Sequence, residues 1–300
     1  MAVKALNRID ELIGNTPLIR LNVSDKANVY GKLEYTNPGG SVKDRIAKAI
    51  VDDGIATGKI NKDTVIIEST SGNTGIGLAM IGAAYGLKVI IFLPNTMSVE
   101  RRRLIEAYGA ELRVVDGGVP VANAEAAKLL AETPNSFAPS QFTNEVNPRI
   151  HYQTTGPEIW ADAEGDIAAF VAGVGTGGTL TGAGRYLKEQ NSNVKVFAVE
   201  PEESRVLEGG PNGVHKIQGI MAGFIPDVLD QGIYDEIIHV STEEAFEYQK
   251  KLSREQGIFV GISAGAAAAA GAKLAERPEF DGKNIVVILP DTGERYLSML

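Results

Sequence analysis

The chain has 300 residues, which at roughly 150 residues per domain predicts two domains, each large enough to bury a core. Apolar residues make up 44% and charged residues 22%, the balance of a protein that folds throughout rather than of a disordered chain. With 29 basic against 38 acidic side chains the net charge is −9, which removes any general attraction to nucleic-acid phosphates or anionic lipid, so neither nucleic acid nor membrane is expected as a partner. The longest apolar runs, at residues 89–93 and 285–289, fall far short of the ~20 needed to cross a bilayer. The opening residues 1–10 lack the continuous apolar segment of a signal peptide, and a cytoplasmic protein is expected. Cysteine is absent, which excludes disulfides, thiolate nucleophiles, iron–sulfur clusters and cysteine-type zinc sites. The three histidines, His151, His215 and His239, are too far apart in sequence for a local metal motif, so no metal is expected. Chemistry falls to Lys, Ser, Asp, Glu, Tyr or a bound organic cofactor.

In chain order, Pro38-Gly-Gly-Ser-Val-Lys-Asp-Arg45 precedes a helix running through Ile50, and Ser41 followed by Asp44 has the form of a capping box. Lys43 then lies in the first helical turn. A cation there is opposed by the positive end of the helix dipole, which favours the neutral amine and hence a nucleophile toward an aldehyde. The alternative is an ordinary surface lysine at a helix start. A strand at 64–68, the loop Ser69-Thr-Ser-Gly-Asn-Thr-Gly75, a helix at 76–85, a strand at 88–93, a helix at 98–108 and a strand at 112–115 follow. The polar, turn-rich stretch 140–149 is the predicted boundary. Beyond it come a strand at 168–172, the loop Gly173-Val-Gly-Thr-Gly-Gly-Thr179, a helix through 186–188, strands at 194–199 and 284–289, and a helix at 242–256; the alanine run 266–270 reads as a helix packed on a sheet. Near-continuous apolar strands between helices spell βαβ units in two blocks, each built on a parallel sheet.

Ligands of open α/β sheets bind where strands lead into helix N-termini. Both glycine- and hydroxyl-rich loops, 69–75 and 173–179, have that form, with free N–H groups and a helix dipole suited to an anion. Gly173, Gly175 and Gly178 match G-x-G-x-x-G, and Glu200 ends the following strand where a dinucleotide site keeps its ribose acid. Thr176 and Thr179 suit a phosphate monoester better, and no Lys-Ser or Lys-Thr completes a P-loop. The residues alone leave a phosphate site, a dinucleotide site and a structural turn open.

The motifs together resemble a known family. Asn37-Pro-Gly-Gly-Ser-Val-Lys-Asp-Arg45, Thr70-Ser-Gly-Asn-Thr-Gly75, Thr154-Thr-Gly-Pro-Glu-Ile-Trp160, Gly173-Val-Gly-Thr-Gly-Gly-Thr-Leu-Thr-Gly182, His215-Lys-Ile-Gln-Gly219 and Gly293-Glu-Arg-Tyr-Leu-Ser298, with the opening Ile13-Gly-Asn-Thr-Pro-Leu18, are similar to the cysteine synthase (O-acetylserine sulfhydrylase) family. Residues 213–226 resemble its A-type branch. The resemblance implies a fold-type II pyridoxal-phosphate enzyme, with two open parallel-sheet α/β domains and the cofactor in the cleft between them. The domains expected are 1–147 and 148–300, with part of 10–35 crossing to the second sheet. It implies that Lys43 is the Schiff-base lysine, that Asn73 bonds the pyridoxal 3′-oxygen, that Gly175, Thr176, Gly177, Gly178 and Thr179 cradle the phosphate, and that Ser263 faces the pyridine nitrogen. Thr70, Ser71, Asn73, Thr74 and Gln141 would bind the substrate carboxylate.

The implied reaction is β-replacement making L-cysteine from O-acetyl-L-serine and sulfide through an α-aminoacrylate. The alternatives are cystathionine β-synthase or serine/threonine dehydratase chemistry, or a partner-binding homologue that has lost catalysis. A homodimer is expected, as is docking of the C-terminal tail of serine acetyltransferase. Two departures from the family pattern stand out. Met221 replaces a common glycine and is expected to alter the pocket, and Ala264 stands where many relatives carry serine.

Overall fold

A computed structural model describes residues 5–299. Residues 1–4, part of the stretch read above for a signal peptide, and residue 300 lie outside the described residues. Strands β1 (Leu18–Leu21) and β2 (Asn28–Leu33) come first, followed by α1 (Lys43–Ala56), β3 (Val65–Ser69), α2 (Asn73–Tyr85), β4 (Lys88–Pro94), α3 (Val99–Ala107), β5 (Glu111–Val115), α4 (Gly118–Glu132) and the two-residue β6 (Ser136–Phe137). The second half runs α5 (Val146–Ile150), α6 (Gly156–Asp162), β7 (Ala169–Gly173), α7 (Gly178–Gln190), β8 (Lys195–Pro201), β9 (Glu236–Val240), α8 (Thr242–Gln256), α9 (Ile262–Ala275) and β10 (Asn284–Leu289). Among the described residues no helix is long and apolar enough to cross a membrane.

The chain forms two compact units. The first comprises the residues up to Asn15, Asn37–Ser140 and those from Arg295 onward. Its sheet has the order β5-β4-β3-β6 and is parallel throughout. Side chains alternate across it with period two. Ile66 and Ile91 face a cluster with Ala47, Val51, Ile76 and Ile105, while Ile67, Ile90 and Phe92 face Ala122 and Ala126. Both faces are covered, which is why these strands read as unbroken apolar runs.

The second unit comprises Thr16–Thr36 and Gln141–Glu294. Its six strands have the order β1-β2-β10-β7-β8-β9; β1 and β2 are antiparallel and the other pairs parallel. Helix α9 presses its alanine run onto this sheet, and a Cβ added at Gly271 would lie 2.7 Å from Val287 Cγ1, so small residues set the close approach. The units divide after Ser140 rather than after 147. The reason is local: Asn147 Nδ2 donates to the Gln141 carbonyl at 2.8 Å and to Thr176 Oγ1 at 3.0 Å, so 141–147 belongs with the second glycine loop.

Candidate active site

In the first unit, Lys43 is the first residue of α1 and is half-buried. The predicted capping box does not form. Val42 occupies the cap position without a side-chain cap, Ser41 Oγ accepts from the Lys43 N–H at 3.2 Å, and the Asp44 carboxylate accepts from the Gly39 N–H at 2.6 Å. Asp44 therefore folds the glycine turn back onto the helix start and fixes the path into Lys43.

The loop from Thr70 to Thr74 leads from β3 into α2, whose first residue is Asn73. Thr70 and Thr74 are buried and Ser71 is exposed. Gly72, at φ +136°, occupies a conformation that favours glycine, and its N–H donates to Thr70 Oγ1 at 3.1 Å. Two buried arginines support this loop. Arg101 lies where a Gly72 side chain would be, stacks 4.5 Å from the Tyr296 ring centroid, and donates to Ser98 Oγ at 3.0 Å. Ser98 in turn donates to the Arg295 carbonyl at 2.7 Å, and the Arg295 guanidinium donates to Asn73 Oδ1 at 2.7 Å and to the Gly39 carbonyl. Two cations beside the positive end of α2 make this loop suited to a carboxylate.

In the second unit, Gly173 ends β7 and Gly178 begins α7. The loop between them admits no side chains at its glycines. A Cβ at Gly175 would lie 2.5 Å from the Gly219 carbonyl oxygen, one at Gly178 would fall on the Asn147 amide, and Gly177 has φ +84°. Thr176 Oγ1 accepts from Asn147, which leaves its hydroxyl proton as the group it has to give. Thr179 Oγ1 lies 3.2 Å from His151 Nε2, and His151 Nδ1 lies 2.8 Å from Thr155 Oγ1. Ser263 is the second residue of α9 and is buried, with its Oγ 3.6 Å from where a Gly219 Cβ would stand. Gly175, Gly219 and Ser263 thus meet in one unit, and Gln141 is buried in the same unit. A cradle of glycine N–H groups and two hydroxyls at the N-terminus of a 13-residue helix, without Lys or Arg between 173 and 179, fits a phosphate monoester such as that of pyridoxal phosphate.

The chain matches the family described as pyridoxal-phosphate dependent enzyme over residues 9–291. It belongs to that family. Among relatives, a cysteine synthase of Staphylococcus aureus is 50% identical over 99% of this chain and 97% of its own length. The crystal structure of a cysteine synthase from Entamoeba histolytica superposes with TM-score 0.95 at 44% identity, covering 100% of this chain and 93% of that one. A hydrogen sulfide-producing enzyme from Fusobacterium nucleatum gives TM-score 0.95 at 44% identity, over 98% of this chain and 100% of that one. The two parallel-sheet α/β units are those of a fold-type II pyridoxal-phosphate enzyme.

Glu200 is not a ribose acid in this pyridoxal-phosphate enzyme. Its carboxylate accepts the Leu207 N–H at 2.9 Å and lies 3.2 Å from His239 Nε2, and burial pushes its carboxyl above the usual range against the pull of those two partners. Glu208 Oε2 is 3.3 Å from the same imidazole nitrogen. Strand register pairs Glu200 with His239, so this carboxylate–imidazole grouping is invisible to sequence spacing. Met221 is 5% exposed inside the apolar core of the second unit, with its N–H donating to the Val174 carbonyl. It packs inward rather than presenting its side chain as apolar surface. Sequence reasoning also missed Asn147, His151, Arg101 and Arg295; Arg101 sits in an Arg-Arg-Arg run that reads as a solvated face.

Proposed function

We propose that this pyridoxal-phosphate enzyme makes L-cysteine from O-acetyl-L-serine and sulfide by β-replacement. The observation that carries the reading is a lysine at the first turn of α1, entered through a turn pinned by Asp44 and Arg295, in the same unit as a hydroxyl-rich helix-terminal loop backed by two buried arginines. The 50% identity with the S. aureus cysteine synthase supports it. Lys43 would carry the cofactor covalently, Asn73 would donate to its 3′-oxygen, Gly175, Thr176, Gly177, Gly178 and Thr179 would hold its phosphate, and Ser263 would offer a neutral hydroxyl to its pyridine nitrogen. When bound, pyridoxal phosphate supplies the electron sink for negative charge at the substrate Cα.

The chain's own residues do the rest. Thr70, Ser71, Asn73, Thr74 and Gln141 grip the substrate carboxylate through hydroxyl, amide and helix-terminal N–H donors, which fixes the direction of the Cα–H bond. Lys43 Nζ takes that proton as general base. Acetate departs from Cβ with its bonding electrons, sulfide bonds to the same carbon, and Lys43 returns a proton to Cα. Steady-state assay tests the reading: cysteine forms from O-acetylserine and sulfide. Preference for homocysteine as acceptor, pyruvate release from serine as the main reaction, or no turnover each refutes it. The likeness to the hydrogen sulfide-producing enzyme favours a second reading, sulfide release from cysteine at the same site, which a direct comparison of sulfide consumption and release separates.

Two copies would pair. Val114 on the edge strand β5, with Val119 and Val121 at the start of α4, is exposed apolar surface in the first unit of the kind a second copy covers; light scattering should give twice the chain mass, and Val119→Lys should lower it. The same carboxylate donors at Thr70 to Thr74 would capture the C-terminal carboxylate of the serine acetyltransferase tail in the cytoplasm.

A further inference from the structure

The motif Gly293-Glu-Arg-Tyr-Leu-Ser298 supplies no group that touches substrate or cofactor in the chemistry assigned above, yet the chain returns to the first unit at Arg295. Arg295 is 1% exposed. Its Nη1 donates to Asn73 Oδ1 at 2.7 Å and its Nη2 donates to the Gly39 carbonyl, while the Gly39 N–H donates to Asp44. A guanidinium has donors and no acceptor, so it can bond only the oxygen edge of the Asn73 amide. The nitrogen edge, which carries the donors, is thereby turned away from Arg295. A rotated amide would place two N–H groups against a buried cation and lose a charge-assisted hydrogen bond. The other arm holds the Gly39 carbonyl while Asp44 holds the Gly39 N–H, four residues ahead of Lys43.

We propose that Arg295 is a positioning residue that locks Asn73 as the hydrogen-bond donor to the 3′-oxygen of pyridoxal phosphate and fixes the turn from which Lys43 emerges. The proposal rests on the assignment of Asn73 to that oxygen. A donor at the 3′-oxygen favours its ionised form, so losing the lock shifts the ionisation of the bound cofactor to higher pH.

Spectrophotometric pH titration of holoenzyme reads this directly, without turnover. Asn73→Ala and Arg295→Met should each raise the midpoint of the cofactor's visible transition by roughly one unit, the tenfold change expected for one hydrogen bond to a charged oxygen. The double variant should show no more than Asn73→Ala alone, because both remove the same bond. Arg295→Lys keeps a buried cation but not the planar fork that reaches Asn73 and Gly39 together, so it tests the idea if the methionine variant does not fold; its midpoint should move the same way by less. An Asn73→Ala midpoint equal to wild type overturns the Asn73 assignment and the proposal with it. A shift in Asn73→Ala with none in either Arg295 variant, or full additivity in the double variant, overturns the proposal alone.

Discussion

Gly175→Ala puts one methyl group where the second unit has no room for it. Its Cβ would stand 2.5 Å from the Gly219 carbonyl oxygen, 0.9 Å inside the 3.4 Å at which ordinary contact begins. The obstacle is backbone, so it cannot swing aside as a flexible side chain would. Gly175 is not among the glycines with positive φ, which means alanine is not penalised by backbone conformation and the effect is steric. Overpacking of this kind costs about 1–3 kcal/mol. If that strain falls on the loop in its phosphate-holding form, affinity for pyridoxal phosphate drops roughly 5- to 150-fold. Titration of the apoprotein with cofactor, followed by fluorescence, measures the change. Gly209→Ala is the control: its φ of +77° makes alanine strained, but nothing lies within 4 Å, so stability falls by about 1–2 kcal/mol with affinity unchanged. Wild-type affinity in Gly175→Ala, or an equal loss in Gly209→Ala, would refute the phosphate-cradle reasoning.

Lys43→Ala should still bind cofactor through Thr176, Thr179 and the loop amides, yet show no cysteine formation above background, since phosphate grip and proton transfer are separate roles; equilibrium dialysis and a turnover assay check both halves. O-acetylserine should outperform O-phosphoserine in kcat/KM, because residues 218–226 contain no Arg or Lys to meet a second dianion; the reverse order would disprove this view of the pocket. A peptide ending in a free isoleucine carboxylate should compete with O-acetylserine and its C-terminal amide should not, and equal inhibition by both would sink the carboxylate-capture argument. Asp10 is buried, and although burial pushes its carboxyl up, hydrogen bonds from Lys48, Arg8 and Tyr85 outweigh it and hold it at about 2. Its stabilising contribution is present above the ordinary carboxylate pKa of 3.8 and lost as pH falls through 2. Asp10→Asn should therefore cost about 2 kcal/mol at neutral pH, with the gap closing in acid, as urea titrations at several pH values would show.

The sequence made the parallel strands legible because two covered faces demand unbroken apolar runs, and β3, β4, β7, β8 and β10 carry them. Both glycine loops were legible because their chemistry is local. Strand β2 could not be read from its own residues. At Gly31 a Cβ would stand 2.5 Å from Leu289 Cδ1, and Lys32 is buried because Glu158 and Asp162 neutralise it from α6. The edge strand β9 is short and carries Glu236 and His239, so it lacks the apolar signature. Arg295 and Asn147 escaped notice for a related reason. Arg295 acts on Asn73 and Gly39, which lie more than two hundred residues away in sequence, and Asn147 lies in the polar, turn-rich stretch that reads as the domain boundary. Local composition reveals groups that touch a ligand more readily than groups that hold those groups in place.

The central claim is that Lys43 carries the cofactor and serves as the base in β-replacement. Borohydride reduction of the yellow holoenzyme followed by peptide mapping tests it most directly. The predicted result is one modified peptide with the pyridoxyl group on Lys43, and prior addition of O-acetylserine, which displaces the lysine, should suppress the labelling. Recovery of the label on any other lysine, or labelling of Lys43 that O-acetylserine leaves untouched, would contradict the account.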